Sequence, residues 1–505
     1  MKTNQGDHGQ LTTQLLDHAD ALRRKVAPLL ALKQKSALGQ FMTPAPVARF
    51  MASLFPPTTL QTCCLLDAGA GVGALSCAFL DRLTSAKELN FQSVEIEAYE
   101  IDNTLRAHLE TTLATYAGRL PVTYKVSSGD FIWKAACKRF QGSRPFSHAI
   151  LNPPYKKINS TSQHRLILRR AGIETGNLYS AFVALSLALM QPGGQLVAII
   201  PRSFCNGPYY RPFRQFLLNR AALQHIHLFA SRTKAFKDDA VLQENVIIRL
   251  ERDGRQGDVT VSHSTDAGFA DLLTHEQPFD RIVFPDDPEY FIHVPTSLGR
   301  NAIERAPGIR FSLGEIGIGV STGPVVDFRL EKHIQQKPSK GTVPLLYPGH
   351  FVGHATQWPK DGMKRGNAIE INTDTKKWLY PNGFYAVARR FSAKEERRRV
   401  VASVVTPATF PEAPMLGFEN HLNVFHEDKR GLPENLAHGL AAFLNTTAVD
   451  EHFRRFNGHT QVNATDLRMM KYPSRQALIT LGKWARAQSA LTQAMLDDQL
   501  KKLAE

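Results

Sequence analysis

The sequence predicts an α/β fold, a doubly wound and mostly parallel sheet, followed by a separate α+β region. Three observations carry that expectation. Short β-rich runs alternate with helical runs from about residue 60 to 250, the alternation ends after about residue 255, and 505 residues exceed one ordinary domain. A hydrophobic content of 43% with 21% charged residues leaves enough apolar side chains for two packed cores.

The elements follow in order. Leucines and alanines at helical spacing over residues 11–35 predict an N-terminal helix. Strands are expected at CCLLDAG (63–69), SVEIEAYEID (93–102), VTYKVSSGD (122–130), SHAILN (147–152), QLVAII (195–200), LQHIHLF (223–229) and NVIIRL (245–250). Helices are expected between them at 74–83, 103–116 and 180–190. No good helix joins the last two strands, so they should close the sheet as an antiparallel edge. Residues 255–345 are rich in Gly, Pro, Asp and Ser, which puts a domain boundary in the 260–300 region. The expected domains are therefore 1–260 and 261–505. The run KEERRR (394–399) mixes signs and reads as an exposed helix face.

A formal charge of +15 and a pI near 9.6 favour a polyanionic partner. The five cysteines include no CxxC pair, which argues against a zinc site or a disulfide framework and fits a reducing cytoplasm. Neither an apolar leader nor an apolar run of membrane length is present, so a soluble, cytoplasmic protein is expected.

Chemistry concentrates at the ends of the predicted strands. LLDAGAGVGALS (65–76) joins a strand to a helix, with Gly69, Gly71 and Gly73 spaced G-x-G-x-G. Glycines there allow a tight turn and a ligand pressed against the backbone. Asp67 would repel a pyrophosphate but suits S-adenosyl-L-methionine, which has no phosphate and carries a sulfonium and an ammonium. Glu100, ending the next strand, can accept from two ribose hydroxyls. Asp130 can accept from an adenine amino group while Phe131 stacks on the ring. Each acid alone is an ordinary turn or cap residue; three at successive strand ends beside a glycine loop point to a cofactor site.

Asn152-Pro153-Pro154-Tyr155 follows the fourth strand. The Asn152 side-chain oxygen and the Pro153 carbonyl can both accept from one –NH2 group. An exocyclic amino nitrogen is a poor nucleophile because its lone pair is shared with the ring. Two fixed acceptors favour the pyramidal state and stabilise charge as a methyl group arrives. Tyr155 offers a face on which a planar base can stack. The segment 156–176 then carries Lys156, Lys157, Arg165, Arg169 and Arg170, which suit phosphate contacts or, equally, a solvated basic loop.

With these motifs the chain resembles the gamma-class adenine-N6 DNA methyltransferases of type II restriction–modification systems, in the group that contains the PstI methylase. The resemblance covers about 38–250. It implies a Rossmann-like class I S-adenosylmethionine-dependent methyltransferase domain and a C-terminal target-recognition domain. LGQFMTPAPVARFMASLF (38–55) looks like the family's N-terminal cofactor motif, with Phe41, Thr43 and Pro44 as contacts. Phe236 matches the aromatic partner of Tyr155, so the two rings would sandwich an adenine flipped out of duplex DNA. FNGHTQVNATDLRMMKYPS (456–474) is similar to the end of the recognition domain, with His459, Gln461, Asn463 and Asp466 as candidates near base edges or phosphates.

The resemblance also implies a functional partnership with a cognate restriction endonuclease. No nuclease pattern and no catalytic metal are expected in this chain. The alternatives are an NPPY-type amino methyltransferase acting on RNA or on a protein glutamine, and a non-catalytic DNA-binding module that kept the fold.

Overall fold

The computed structural model describes residues 6–26, 42–85, 89, 91–230, 244–285, 287–295, 302–352, 355–392, 396–456 and 461–504. The chain divides into two compact units, Met1–Leu298 and Gly299–Glu505.

The first unit is built on a nine-stranded sheet. Its strands in chain order are β1 (Thr62–Ala68), β2 (Ser93–Tyr99), β3 (Val122–Ser127), β4 (Phe146–Leu151), β5 (Met190–Pro201), β6 (Ala221–Phe229), β7 (Asn245–Arg252), β8 (Val259–Ser264) and β9 (Leu273–Gln277). Their spatial order is β3-β2-β1-β4-β5-β7-β6-β8-β9. The strands β3, β2, β1, β4 and β5 are mutually parallel, while β7 runs antiparallel to both β5 and β6. The expected antiparallel edge pair is present, with β7 inserted between β5 and β6. The sheet continues beyond residue 260, because β6 also pairs with β8 and β8 with β9.

Helices cover both faces, which is why the central strands read as unbroken apolar runs. On one face lie α1 (Gly6–Val26), α2 (Ala45–Ser53), α3 (Ala74–Ser85) and α4 (Asn103–Ala117), packed on Cys63, Leu65, Ile96 and Ile150. On the other lie α5 (Phe131–Phe140), α6 (Gln163–Arg170), α7 (Leu178–Ala188) and α8 (Arg211–Leu218), packed on Leu66, Ala68, Ala149 and Leu151. The β1 side chains alternate between these two cores, as the two-residue period of a strand requires.

Two local expectations differ from the structure. The third strand stops at Ser127, and Asp130 instead caps α5 by accepting the Ile132 N–H at 2.8 Å. The basic segment after residue 156 contains α6, capped by the Ser162 hydroxyl at the Arg165 N–H, 3.3 Å.

The second unit is α+β. A four-stranded antiparallel sheet orders 319–322, 422–426, 385–389 and 402–405, and a five-stranded mixed sheet is built around 342–346. Five helices follow: α9 (Glu434–Leu444), α10 (Thr447–Phe456), α11 (Ala464–Met469), α12 (Arg475–Arg486) and α13 (Gln493–Ala504). In the KEERRR run, residues 396–399 form bends rather than the expected exposed helix. Arg399 is 1% exposed, its N–H donating to Asp450 at 2.6 Å and its guanidinium lying 5.7 Å from the Phe453 ring centre. The guanidinium Nε donates to the Ser392 hydroxyl at 3.1 Å, so a charge that a local reading leaves in water is buried. No described helix is long and apolar enough to cross a membrane.

Candidate active site

The strand order reverses between β1 and β4, so the loops leaving their carboxyl ends diverge and open a crevice. A cavity of about 480 Å³ occupies it, within the size range of small-molecule sites. Its wall includes Thr43, Gly69, Gly71, Glu100, Asp130, Phe131, Asn152, Pro154, Lys156 and Lys157. Motifs that are far apart in sequence thus share one surface.

The glycine loop shapes one side. Gly71 has a φ of +59° and lines the cavity, and a Cβ there would meet no protein atom within 4 Å, so it would project into open space. Gly73, at φ +91°, lies under α4, where a Cβ would come 2.9 Å from Leu109. Glu100 is 3% exposed and accepts the Gly71 N–H and the Asp102 N–H, both at 2.8 Å, which ties the loop to the end of β2. Burial raises its carboxyl above the ordinary range.

Asp67 lies behind the loop, fully buried and off the cavity wall. Its Oδ2 accepts the Ser76 hydroxyl at 2.6 Å, while its buried Oδ1 has no hydrogen-bond partner. Burial pushes its pKa up to about 7. Asp130 spends one oxygen on the α5 cap and sets the other 2.6 Å from His164 Nε2. Phe131 is buried on the wall, edge-on to Tyr99 and tilted on Phe182.

The NPPY loop closes the opposite side. A Cβ on Gly69 would lie 3.9 Å from the Asn152 carbonyl, so the two loops are in contact. The Asn152 amide Nδ2 donates to the Thr43 hydroxyl at 2.9 Å. This fixes Oδ1 as the acceptor on the other side of the amide, where the Tyr155 hydroxyl donates at 3.2 Å. The same hydroxyl reaches the Ile199 carbonyl of β5 at 3.4 Å, and burial of the phenol end pushes its pKa well above the ordinary value. The ring itself is partly exposed. Pro153 is buried, and Pro44 begins α2 as its N-cap. The Ala45 N–H donates to Asp20 of α1 at 3.2 Å, which anchors the chain next to Thr43.

Lys156 and Lys157 line the mouth of the cavity. The Leu178 N–H donates to the Lys156 carbonyl at 2.8 Å, holding this stretch against the start of α7. Arg165 and Arg169 both pair with Glu174, the latter at 2.8 Å, and Arg170 is exposed. Phe41, Phe236 and His459 lie outside the described residues. Asp466 is fully buried and caps α11 from within, accepting the Asn463 N–H at 3.0 Å, so it belongs to the fold rather than to a contact surface. Gln461 accepts from Arg390 at 3.3 Å.

Ile101, His164 and Phe182 are among the wall residues that sequence reasoning passed over. Ile101 follows Glu100 and stays 47% exposed, an apolar side chain kept at the cavity edge. Its place one residue after a strand-end acid was the only available signal.

These residues fit S-adenosyl-L-methionine. The loop offers backbone clearance at Gly71, the walls carry Glu100 and Asp130 where a phosphate would be repelled, and an unsatisfied carboxylate oxygen of Asp67 sits behind the loop. Among the described residues no group of three His, Cys, Asp or Glu could hold a metal ion.

The comparisons with known proteins agree with this geometry. Residues 63–236 match the Eco57I restriction-modification methylase family. The chain is 53% identical to the type II methyltransferase M.BsuBI of Bacillus subtilis, over 94% of each chain. It is 41% identical to the type II methyltransferase M.PstI of Providencia stuartii, over 93% of each. In fold it is similar to the type IIL restriction-modification enzyme MmeI, solved in complex with DNA, with a TM-score of 0.50 at 10% identity over 91% of this chain and 71% of that one. Near-full-length identity at this level places the chain in the family: it belongs to the type II methyltransferases of restriction–modification systems, which take their methyl group from S-adenosyl-L-methionine.

Proposed function

We propose that this chain methylates N6 of adenine at specific sites in double-stranded DNA and thereby protects them from a cognate restriction endonuclease. The observation that carries this reading is the Asn152 amide, whose Nδ2 donates to Thr43 and whose Oδ1 is an acceptor, on a loop whose backbone lies beside the glycine loop. An acceptor of that kind serves an amino nitrogen; it has nothing to offer a carbon nucleophile, which needs a covalent activator.

Bound S-adenosyl-L-methionine supplies an electrophilic methyl group on a sulfonium. Glu100 is disposed to accept from the ribose hydroxyls, and Asp130 with Phe131 to hold the adenine ring. Met42 and Thr43 line the cavity, and by the resemblance Phe41, Thr43 and Pro44 are the contacts of the methionine part, with Asp67 behind the loop. Asn152 Oδ1 and the Pro153 carbonyl accept from the target amino group, and Pro154 stiffens the turn. Tyr155 stacks on the base, with Phe236 as its opposing ring. The target base must leave the helix, because N6 is paired and out of reach in a stacked duplex.

The mouth of the cavity carries Lys156 and Lys157, and Arg169 and Arg170 on α6 extend the basic surface, which supports phosphate contacts around the target. The unit after Leu298 is read as the target-recognition domain. Its size supports that role, and so does the near-full-length match to M.BsuBI and M.PstI.

The test is to sequence the DNA of an expressing host with a method that detects N6-methyladenine, alongside tritium transfer from labelled cofactor in vitro. Methyladenine at one recurrent sequence is expected. Label confined to RNA or to protein glutamine would replace this reading with one of those substrates.

A further inference from the structure

The turn that packs on Tyr179 carries an aromatic side chain that the roles above do not use. Tyr209 is 84% exposed, more than any other large apolar side chain among the described residues. It lies in a short 3-10 turn, Pro208–Tyr210, between the end of β5 and α8. One exposed ring is ordinary on a protein surface. The support beneath this one is not.

The Gly207 N–H donates to the Ser203 carbonyl and the Tyr210 N–H to the Gly207 carbonyl, each at 3.0 Å. The fully buried Arg214 donates from Nη1 to the Phe204 and Gly207 carbonyls, both at 2.8 Å, and from Nε to the Glu289 carbonyl at 2.9 Å. A guanidinium is costly to bury unless its donors are met, and here it serves to hold the backbone of this turn. The Tyr210 ring packs so closely over Gly207 that a Cβ there would lie 2.7 Å from it.

That platform is continuous with the catalytic loop. Tyr210 packs on Tyr179 with ring centres 5.6 Å apart, and Tyr179 meets Tyr155 edge-on at 6.1 Å. The Tyr179 hydroxyl also lies 3.2 Å from that of Ser203. Tyr209 is therefore a ring presented to solvent on a stiff mount, and its chain neighbour Tyr210 is two aromatic contacts from the residue that stacks on the target base.

We propose that Tyr209 stacks on the duplex base uncovered when the target adenine swings out. Extruding a base leaves an apolar face exposed to water inside the helix, and an aromatic wedge can cover it. A ring carried on a clamped backbone needs only its own side-chain torsions ordered on stacking, which is the advantage of this turn. The exposed Lys156 and Lys157, which follow Tyr155 and line the cavity, would draw the phosphates of the same duplex. The inference rests on the adenine reading above.

The experiment compares wild type, Tyr209→Ala and Tyr209→Phe on a duplex carrying the mapped recognition site, with 2-aminopurine at the target position to report extrusion. Tyr209→Ala should weaken duplex binding about 5- to 100-fold, the range of one base–aromatic stack, and lower the 2-aminopurine signal. Tyr209→Phe should keep both near wild type, while cofactor affinity stays unchanged in all three. Equal behaviour of Ala and wild type overturns the proposal, and so does equal loss in Ala and Phe, which would mean a polar contact through the hydroxyl. Failure of the adenine reading is separate: wild type itself would then transfer no methyl group to adenine in the duplex.

Discussion

Thr43 and Asn152 are 109 residues apart in sequence and joined by one 2.9 Å hydrogen bond. That bond holds the Asn152 amide from one side, so Thr43 acts as a positioning residue. Thr43→Val leaves a buried N–H without its acceptor, at about 1–3 kcal/mol, and allows the amide to turn. We expect kcat to fall about tenfold with cofactor affinity changed much less, and Thr43→Ser to restore it. A fall in cofactor affinity equal to that in kcat would mean that Thr43 acts through the cofactor rather than through Asn152.

Asp67 makes a prediction in pH. Burial raises its pKa to about 7, above the unfolded value, so the folded state holds the proton more tightly than the unfolded one. Stability of the cofactor-free protein therefore falls as pH rises from about 4 to 7, by on the order of a few kcal/mol, and the deficit persists above. Asp67→Asn should melt higher than wild type at pH 8, and the gap should close as pH is lowered towards 4. Thermal melts giving a pH-independent gap would rule this out.

At the scale of elements, the two helices that back the second unit cross at their glycines. A Cβ on Gly439 of α9 would lie 1.8 Å from the Leu478 carbonyl, and one on Gly482 of α12 would lie 1.7 Å from the Asn435 carbonyl. Backbone against backbone cannot yield as a flexible side chain can. Gly439→Ala should destabilise this unit by about 3 kcal/mol in urea unfolding. Gly314→Ala, where a Cβ meets nothing within 4 Å, should stay within about 0.5 kcal/mol of wild type. Matching losses in the two variants would show that the helix crossing is not the cause. The same scale explains why strand and helix positions in the first unit were legible. The strands from β1 to β7 coincide with runs of apolar residues, and Gly or Asp marks the turns after β1 and β3. The strands β8 and β9 were not legible, because THEQ and VTVSHS are polar and short at the sheet edge. Only the pairing of β8 to β6 and of β9 to β8 makes them strands.

For the whole molecule, the net charge of +15 makes salt the sharpest probe of the DNA reading. Specific-site affinity should fall linearly in log–log form with salt, and Lys157→Ala should reduce that slope by about 0.9 if the ammonium neutralises one phosphate. An unchanged slope would remove Lys157 from the phosphate contacts. Cofactor and DNA reach this chain through different physics, since the cavity wall carries acids and its mouth carries lysines.

What the sequence determined by itself was local: the parallel strand runs, the glycine loop, the NPPY loop after β4 and the acids at strand ends. Apolar periodicity and residue chemistry are properties of neighbours in the chain, so they survive without coordinates. Tertiary structure decided the rest. Asp67 could be read as an acid at a strand end, but not as one buried behind its own loop. Asp130 could be read as a ligand acid, but not as a helix cap meeting His164. The Thr43–Asn152 bond, the meeting of Arg399 with Phe453 and the packing of Tyr210 on Tyr179 join residues that share no stretch of sequence. Each depends on which surfaces the sheet order brings together, and that is settled by packing and long-range pairing rather than by any local pattern.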